Sequence, residues 1–499
     1  MEENAPKKSI TGNLTYHLIF RLIMTLSPLI VAPHLARELG ASNLGIFTFV
    51  LANVQYFVMC AKLGIEQHGQ RSIAECFYDK EKYSQTFWNL YTVQFLMSLL
   101  AAALYLCYST VFVSDNKAIT LICIFWIFGA QFNIEWLLFG IEEFKVVTVR
   151  NMISKVLQVA CIMFFVRRGK NPLLVYTIIM SAENFLCAMV LLPVLKKYIV
   201  WKRPQFAEIR RHIKPLLILF IPQLALSVFH NMDRTMLGLL TTYDQLGYYS
   251  NAFKLVNVPA QITLGMSAVF LPRAVSLYAQ DDTKTRNAFL DRTFEFTAFL
   301  SAGLTFGMAG CTKDFVPVFF GSEFLPCIVL TYLFAPSLII KTVSDLYRSE
   351  CMIPLHQDNL YIWATIGGAV VNLIFNFLLI PRFGANGAAA ATVIAEFALM
   401  VIQFKGYEKG YNGIKWLKSY MIYIVMAAVM FLAMDQVSGL MTGSGLLVKT
   451  AAEILAGGTL YLLMCCLYWF KFSKDRDVLN LLTYEIKRRF KTADTDGQE

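Results

Sequence analysis

Fourteen apolar windows of about twenty residues recur along almost the whole of the 499-residue chain, and no other feature restricts its fold so tightly. A helix of that length rises about 30 Å, enough to cross the hydrocarbon core of a bilayer. With no water there to satisfy peptide groups, a spanning segment must be a helix or part of a closed barrel, and continuous apolar runs without strict alternation select the helix. The windows run 14–36, 42–63, 86–113, 118–140, 147–166, 172–195, 214–240, 246–270, 293–311, 326–347, 359–381, 386–406, 417–435 and 445–470. Charged residues make up only 16% of the chain and mean hydropathy is +0.53, outside the range of soluble domains. The expected fold class is therefore all-α integral membrane, with about 14 transmembrane helices.

The polar start MEENAPKKSI precedes a window too long for a signal-peptide core and lacking a small-residue cleavage pattern, so it is read as preceding a retained helix. Placing the N-terminus in the cytoplasm puts most of the 44 Lys and Arg on the inner side, chiefly through KKYIVWKRPQFAEIRRHIK (196–214) and the segment after Trp469. RRGK (167–170) is the exception. An even number of helices returns both termini to the cytoplasm. The net charge of +10 is then topology signal plus attraction to membrane lipids, and no nucleic-acid partner is expected. The basic tail KFSKDRDVLNLLTYEIKRRFK (471–491) is expected to lie on the inner surface with Leu479, Leu482, Ile486 and Phe490 toward lipid.

No connection exceeds about 20 residues, so no separate soluble domain is expected to hold a polymer or nucleotide sugar. A phosphate-cradling GxxxxGK[ST] run is missing, which excludes an ATPase in this chain. Eleven scattered cysteines show no CxxC and no Cys/His metal spacing, and they read as small apolar residues. The expectation is a non-enzyme with no catalytic residues, no metal and no cofactor.

An internal repeat is visible. LGIFTFVLANV (44–54) aligns without gaps on LGYYSNAFKLV (246–256), a shift of 202 residues, and FFVRRGKNPLLVYTIIMSAE (164–183) pairs with LLIPRFGANGAAAATVIAE (378–396). Two pseudo-symmetric six-helix halves follow, both in the same orientation, related by an axis along the membrane normal. The expected organisation is a cytoplasmic N-terminus (1–13), a six-helix lobe (14–195), a basic linker (196–213), a second six-helix lobe (214–406), two additional helices (407–470) and the tail (471–499).

Charges at membrane depth cost several kcal/mol and normally face a cavity or a partner. At 1.5 Å per residue, Arg21 and Lys155 lie roughly 10 Å from the cytoplasmic ends of their windows, Lys341 lies in the inner half, Arg234 in the outer third and Lys254 roughly 12 Å from the outer end. Three polar stripes accompany them at helical spacing: Gln223, Ser227, His230, Arg234; Lys254, Asn257, Gln261; and Asn151, Lys155, Gln158. A shared wet interior explains three such stripes better than structural pairing. The embedded carboxylates Glu135, Glu183, Asp233, Asp345 and Glu396 admit coupling or structural pairing. Lys341, Asp345 and Arg348 at i, i+4, i+7 are placed to satisfy one another, and Asp233 to pair with His230 or to bind a coupling cation. ELGASNLG (38–45) and IPRFGANGAAAA (380–391) put Gly and Ala where helices turn and backbones approach.

MDRTMLGLLTTYDQLGYYSNAFKLV (232–256) resembles the seventh and eighth helices of bacterial polysaccharide repeat-unit flippases, of the multidrug/oligosaccharidyl-lipid/polysaccharide (MOP) exporter superfamily. PHLARELGASNLGIFTF (33–49), KLGIEQHGQRSIA (62–74) and LLIPRFGANGAAAATVIAE (378–396) agree, so the resemblance covers roughly 12–410. It implies a MATE-like twelve-helix core plus two helices in the bacterial cytoplasmic membrane. It also implies alternating access of a cationic cavity that turns over an undecaprenyl-pyrophosphate-linked oligosaccharide for capsule, exopolysaccharide, O-antigen or teichoic-type polymers. On that reading Arg21 and Lys155 accept the pyrophosphate on the inner side and Arg234 and Lys254 release it outward. Asn151, Gln158, Gln223, Asn257 and Gln261 then line a chamber for the sugars. Implied partners are the lipid-linked substrate, membrane lipids, and a polysaccharide polymerase with other assembly proteins. A cation-coupled multidrug antiporter of the same fold is the alternative, followed by a membrane polymerase or ligase, which would want a large outer loop.

Overall fold

The computed structural model describes residues 10–167, 169, 171–280, 282–406, 414–441 and 443–471, and for 10–23, 25, 230, 268 and 414–419 the backbone alone. The basic tail therefore lies outside the described residues. Within them every regular element is helical and no strand occurs. The chain divides into two compact units, residues 1–247 and 248–499.

Unit 1 contains α1 (Ile10–Lys62), α2 (Ile65–Ala74), α3 (Lys80–Val111), α4 (Lys117–Ile122), α5 (Ile124–Phe132), α6 (Glu135–Gly140), α7 (Phe144–Phe165), α8 (Pro172–Met189), α9 (Leu195–Tyr198) and α10 (Phe206–Leu240). Unit 2 is built from α11 (Tyr243–Ala279, which begins inside unit 1), α12 (Thr283–Phe319), α13 (Pro326–Tyr347), α14 (Asp358–Gly406), α15 (Ile414–Leu440) and α16 (Leu446–Lys471).

Among the described residues twelve helical segments are long and apolar enough to cross a membrane, two fewer than the fourteen windows expected. The difference sits in two segments, Leu26–Ala74 and Asp358–Lys405, of 49 and 48 residues, each taking in two windows. Both are interrupted at a glycine with a left-handed φ: Gly40 (φ 72, ψ 176) in α1 and Gly384 (φ 56, ψ −131) in α14. An L side chain is strained there, which is why these two turns fall on Gly in ELGASNLG and in IPRFGANGAAAA.

Some helices bury polar residues among the apolar core and expose a row of large apolar ones. On α3, Ser84, Asn89, Gln94, Ser98 and Ser109 are buried, whereas Leu96, Leu100 and Leu104, one i+4 stripe, are exposed. Lipid is the solvent that fits such a stripe. Asp79 caps α3 by accepting from the amides of Glu81 and Lys82. The fourth window is broken between α5 and α6, and Gln94 closes the break. Its Nε2 donates to the carbonyls of Ala130 (2.6 Å) and Asn133 (2.8 Å), and its Oε1 accepts from Trp136 Nε1 (3.0 Å). In the KLGIEQHGQRSIA motif, Gly69 lies so close to the buried Trp136 ring that a Cβ would stand 2.5 Å from it.

The 202-residue repeat has a geometric counterpart in unit 1. A Cβ on Gly45 would lie 1.8 Å from the Tyr243 carbonyl oxygen, and one on Gly247 would lie 2.1 Å from that of Ala41. The shift carries 41 onto 243 and 45 onto 247, so the contact is reciprocal: each repeat presses its glycine onto the other's carbonyl. A backbone carbonyl approaches a helix this closely only where the residue facing it lacks a side chain.

In unit 2, α15 and α16 pack on α12 through Phe294, Tyr423, Met430, Met434, Tyr461 and Trp469. Polar bonds pin the three helices along their length. Lys449 Nζ lies 3.1 Å from Asp314, to which Ser438 also donates (2.7 Å), and Tyr423 donates to Glu295 (3.0 Å) while accepting from Trp469 Nε1 (2.8 Å).

Candidate substrate-binding cations

In unit 1, α7 and α8 bring together several residues nominated from sequence. Lys155 sits eleven residues into the 22-residue α7, about 16 Å from its start and hence near mid-helix, because α7 begins three residues before its window. Its Nζ donates to Gln158 Oε1 at 2.6 Å. Gln158 Nε2 lies 3.2 Å from Glu183 Oε2, and Ser154 Oγ donates to Glu183 Oε1 at 2.9 Å. Lys155, Gln158 and Glu183 thus form one chain in which an amide separates the ammonium from the carboxylate. Among the described residues no carboxylate lies within ion-pair distance of Lys155. Asn151, one turn earlier, faces Cys187, whose Sγ lies 3.6 Å from its Oδ1. Arg150 behaves differently: it pairs with Glu135 and donates to the Cys187 carbonyl (2.7 Å).

On α10, Gln223 is half-buried and Asp233 is buried, and Arg234 Nη1 lies 3.5 Å from Asn231 Oδ1. The side chains of Arg21 and His230 lie outside the described residues. In unit 2, Lys254 Nζ lies 3.4 Å from Asn251 Oδ1, Asn257 is half-buried and Gln261 is exposed. The Lys341, Asp345, Arg348 triplet separates. Asp345 pairs with Arg348 at 3.0 Å, but Lys341 reaches across to Glu396 on α14 at 2.8 Å and lies 4.8 Å from the Phe253 ring centroid. The sequence spacing showed the local partner and had no means of showing the one on another helix.

Several polar groups escaped the sequence reading. Glu350, fully buried, accepts from Thr293 Oγ1 at 2.6 Å within a π-helical turn, Arg348–Met352. Asn372 and Asn376 are buried and bonded to one another at 2.9 Å. Asn372 and Asn376 are at i, i+4 on one face of an apolar window, a signal of the same kind as the polar stripes of α7, α10 and α11.

The family model described as polysaccharide biosynthesis protein matches residues 10–277, more than half of the chain. The chain belongs to that family. Among its relatives, a protein of Escherichia coli (strain K12) named for O-antigen transport is 21% identical over 401 residues, 79% of this chain and 95% of its own. A protein of Haloferax volcanii named for a flippase of low-salt glycan biosynthesis, Agl15, is 23% identical over 205 residues, 40% of this chain and 43% of its own. The solved structure of the lipid II flippase MurJ in an inward closed conformation superposes with a TM-score of 0.72 at 15% identity, covering 92% of this chain and 99% of that one. An inward-facing multidrug resistance MATE family transporter of the MOP superfamily reaches 0.53 at 13%, covering 81% and 95%. At these identities the two structures establish the fold of this polysaccharide biosynthesis protein: a multi-pass membrane protein of the MurJ and MATE type. The amide of Gln158 orients the Lys155 ammonium without neutralising it.

Proposed function

We propose that this protein is a flippase that moves an undecaprenyl-pyrophosphate-linked oligosaccharide repeat unit from the inner to the outer leaflet of the bacterial cytoplasmic membrane, with both termini in the cytoplasm. The observation that carries the reading is Lys155, a cation near the middle of an apolar helix, bonded to Gln158 instead of to a carboxylate. The family's role in polysaccharide biosynthesis, relatives named for O-antigen transport and glycan flipping, and the MurJ fold support it. A pyrophosphate carries about two negative charges and cannot enter hydrocarbon unaided, so cations at several depths offer it successive stations. Lys155, with Arg21, serves the inner side, and Arg234 and Lys254 the outer. The amides Asn151, Gln158, Gln223, Asn257 and Gln261 offer hydrogen bonds to sugar hydroxyls. Glu183, Asp233, Lys341, Asp345 and Glu396 hold the helices in register or couple transport to a cation.

The proposed organisation is two six-helix lobes (14–195 and 214–406) joined by the basic linker 196–213, preceded by a cytoplasmic N-terminus (1–13) and followed by two additional helices (407–470) and a basic cytoplasmic tail (471–499). A polymerase and other assembly proteins would receive the exported unit. Deleting the gene and extracting lipids tests this reading. Accumulation of a complete lipid-linked repeat unit, with loss of surface polysaccharide, is expected. Normal lipid-linked pools with reduced drug tolerance would instead select the multidrug antiporter.

A further inference from the structure

Unit 1 contains a cavity of 210 Å³ that the cation network does not touch. It lies where the second half of α1, the end of α3, the α3–α4 connection and the end of α10 meet, which is the extracytoplasmic end on the topology proposed above. We propose that it binds one sugar ring of the transported glycan, a subsite separate from the pyrophosphate stations; this rests on the flippase reading.

Its lining is of two kinds. Phe49, Tyr108 and Tyr243 supply aromatic rings, and Asn53, Ser114 and Asp115 supply hydrogen-bonding groups. A pyranose has the complementary surface, with C–H faces that pack on rings and equatorial hydroxyls that bond carboxylates and amides. The alternatives fit less well. A lipid chain would desolvate Asn53 and Asp115 without repaying their hydrogen bonds. A phosphate would meet no Lys or Arg in the lining and would be repelled by Asp115. The volume is smaller than the ~300–1,000 Å³ of pockets that enclose drug-sized molecules, which suits one sugar ring.

The cavity is also held in shape. Phe49 is pressed against the backbone of α10 at Gly238, where a Cβ would lie 2.1 Å from the ring, and its centroid is 5.9 Å from that of Tyr243. Asn53 Oδ1 accepts from Thr235 Oγ1 at 3.3 Å, which orients the amide. The connection bearing Ser114 and Asp115 is anchored by Tyr105, whose hydroxyl donates to the Thr120 carbonyl at 2.8 Å, and by Asn116, which takes the left-handed φ of 56° that starts α4. A preformed site binds without an ordering cost, and a subsite at the exit would favour the outward-delivered state of the substrate by exactly as much as it binds that state better.

The test is saturation-transfer NMR on the purified full-length protein in detergent, with methyl glycosides of hexoses and N-acetylhexosamines as probes and inorganic pyrophosphate as competitor. At least one glycoside is expected to bind, with affinity at least tenfold weaker in both Asp115→Ala and Tyr243→Ala and no displacement by pyrophosphate. Asp115 is exposed, so its replacement leaves folding intact and keeps the test decisive if Tyr243→Ala unfolds. Absence of glycoside binding, binding unchanged in these variants, or displacement by pyrophosphate overturns the proposal. Because the readout is binding by purified protein, it succeeds or fails independently of the lipid-pool measurement that tests the flippase reading.

Discussion

Replacing Gly45 or Gly247 with Ala strikes the reciprocal backbone contact directly. A Cβ would stand 1.8 Å from the Tyr243 oxygen in one case and 2.1 Å from the Ala41 oxygen in the other, and real Cβ atoms essentially never come within 3.0 Å. The two backbones must therefore part by about 1 Å. No flexible side chain can absorb the strain, because the opposing atoms are main chain. Overpacking of this kind costs about 1–3 kcal/mol, and its rigid partners put it near the top of that range. Against it stands the gain from Gly to Ala inside a helix, about 0.5–1 kcal/mol. Each single variant should lose about 2 kcal/mol net. The double variant is more telling: once the first methyl has opened the gap the second enters it at little cost, so the pair should lose about as much as one alone, a clear failure of additivity. Thermal inactivation of the purified protein in detergent, compared at one scan rate because unfolding is irreversible in such systems, measures the order. Gly458→Ala is the control, since nothing lies within 4 Å of its added Cβ and only the helix gain remains. Single variants as stable as wild type, or a double variant whose loss equals the sum, would refute the contact and with it the geometric support for the repeat.

Lys155→Ala should weaken turnover of lipid-linked oligosaccharide about ten- to a hundredfold, the worth of one charge-assisted hydrogen bond of about 1.5–3 kcal/mol, with Lys155→Arg retaining more; export of surface polymer in a deletion strain is the measure. Glu396→Gln alone leaves Lys341 without its carboxylate among apolar helices, at about 3–5 kcal/mol, whereas adding Lys341→Met should recover most of that loss in an unfolding assay. Asp282, in the connection before α12, accepts from the Thr285 hydroxyl and amide, and those bonds hold its carboxyl below the ordinary carboxylate range. A depressed folded-state pKa means that the capping contribution is present above the unfolded pKa and is lost as pH falls through the folded one. The protection factor of the Thr285 amide, its slowing relative to the intrinsic exchange rate at the same pH, should thus fall with acidification in wild type, while in Asp282→Ala it should be low throughout.

How far the sequence was legible follows from what a one-dimensional pattern contains. Apolar windows mark where a chain crosses hydrocarbon, and the helices start and stop close to them: 86–113 became Lys80–Val111, and 445–470 became Leu446–Lys471. Counting crossings was harder, since Gly40 and Gly384 turn the chain within one or two residues and leave no polar loop behind. Pairing along one helix could be read from spacing, as Asp345 with Arg348 shows, but Lys341 with Glu396 and Asp314 with Lys449 join helices distant in sequence. The aromatic cavity was invisible for the same reason: Phe49, Tyr108 and Tyr243 come from three separate helices, and each ring alone reads as core.

Arg150 and Lys155 share one helix, α7, yet the structure gives them opposite electrostatic roles, and Gln158 is what makes the difference. Arg150 is compensated by Glu135, so in a medium of low dielectric it presents little net charge to a passing anion. Lys155 would be compensated too if its ammonium reached Glu183, but Gln158 stands between them, accepting from the ammonium at 2.6 Å and donating to the carboxylate at 3.2 Å. Truncating Gln158 to Ala removes that spacer and lets lysine and glutamate close into an ion pair. Transport should then fall as far as in Lys155→Ala even though the lysine remains. Adding Glu183→Gln to Gln158→Ala removes the carboxylate that captures the lysine and should restore much of the activity. A structural role for Gln158 predicts the reverse, since the second substitution could only deepen a folding defect. Full export by the Gln158→Ala single variant, or no recovery in the double, would show that the charge of Lys155 is not what the substrate meets.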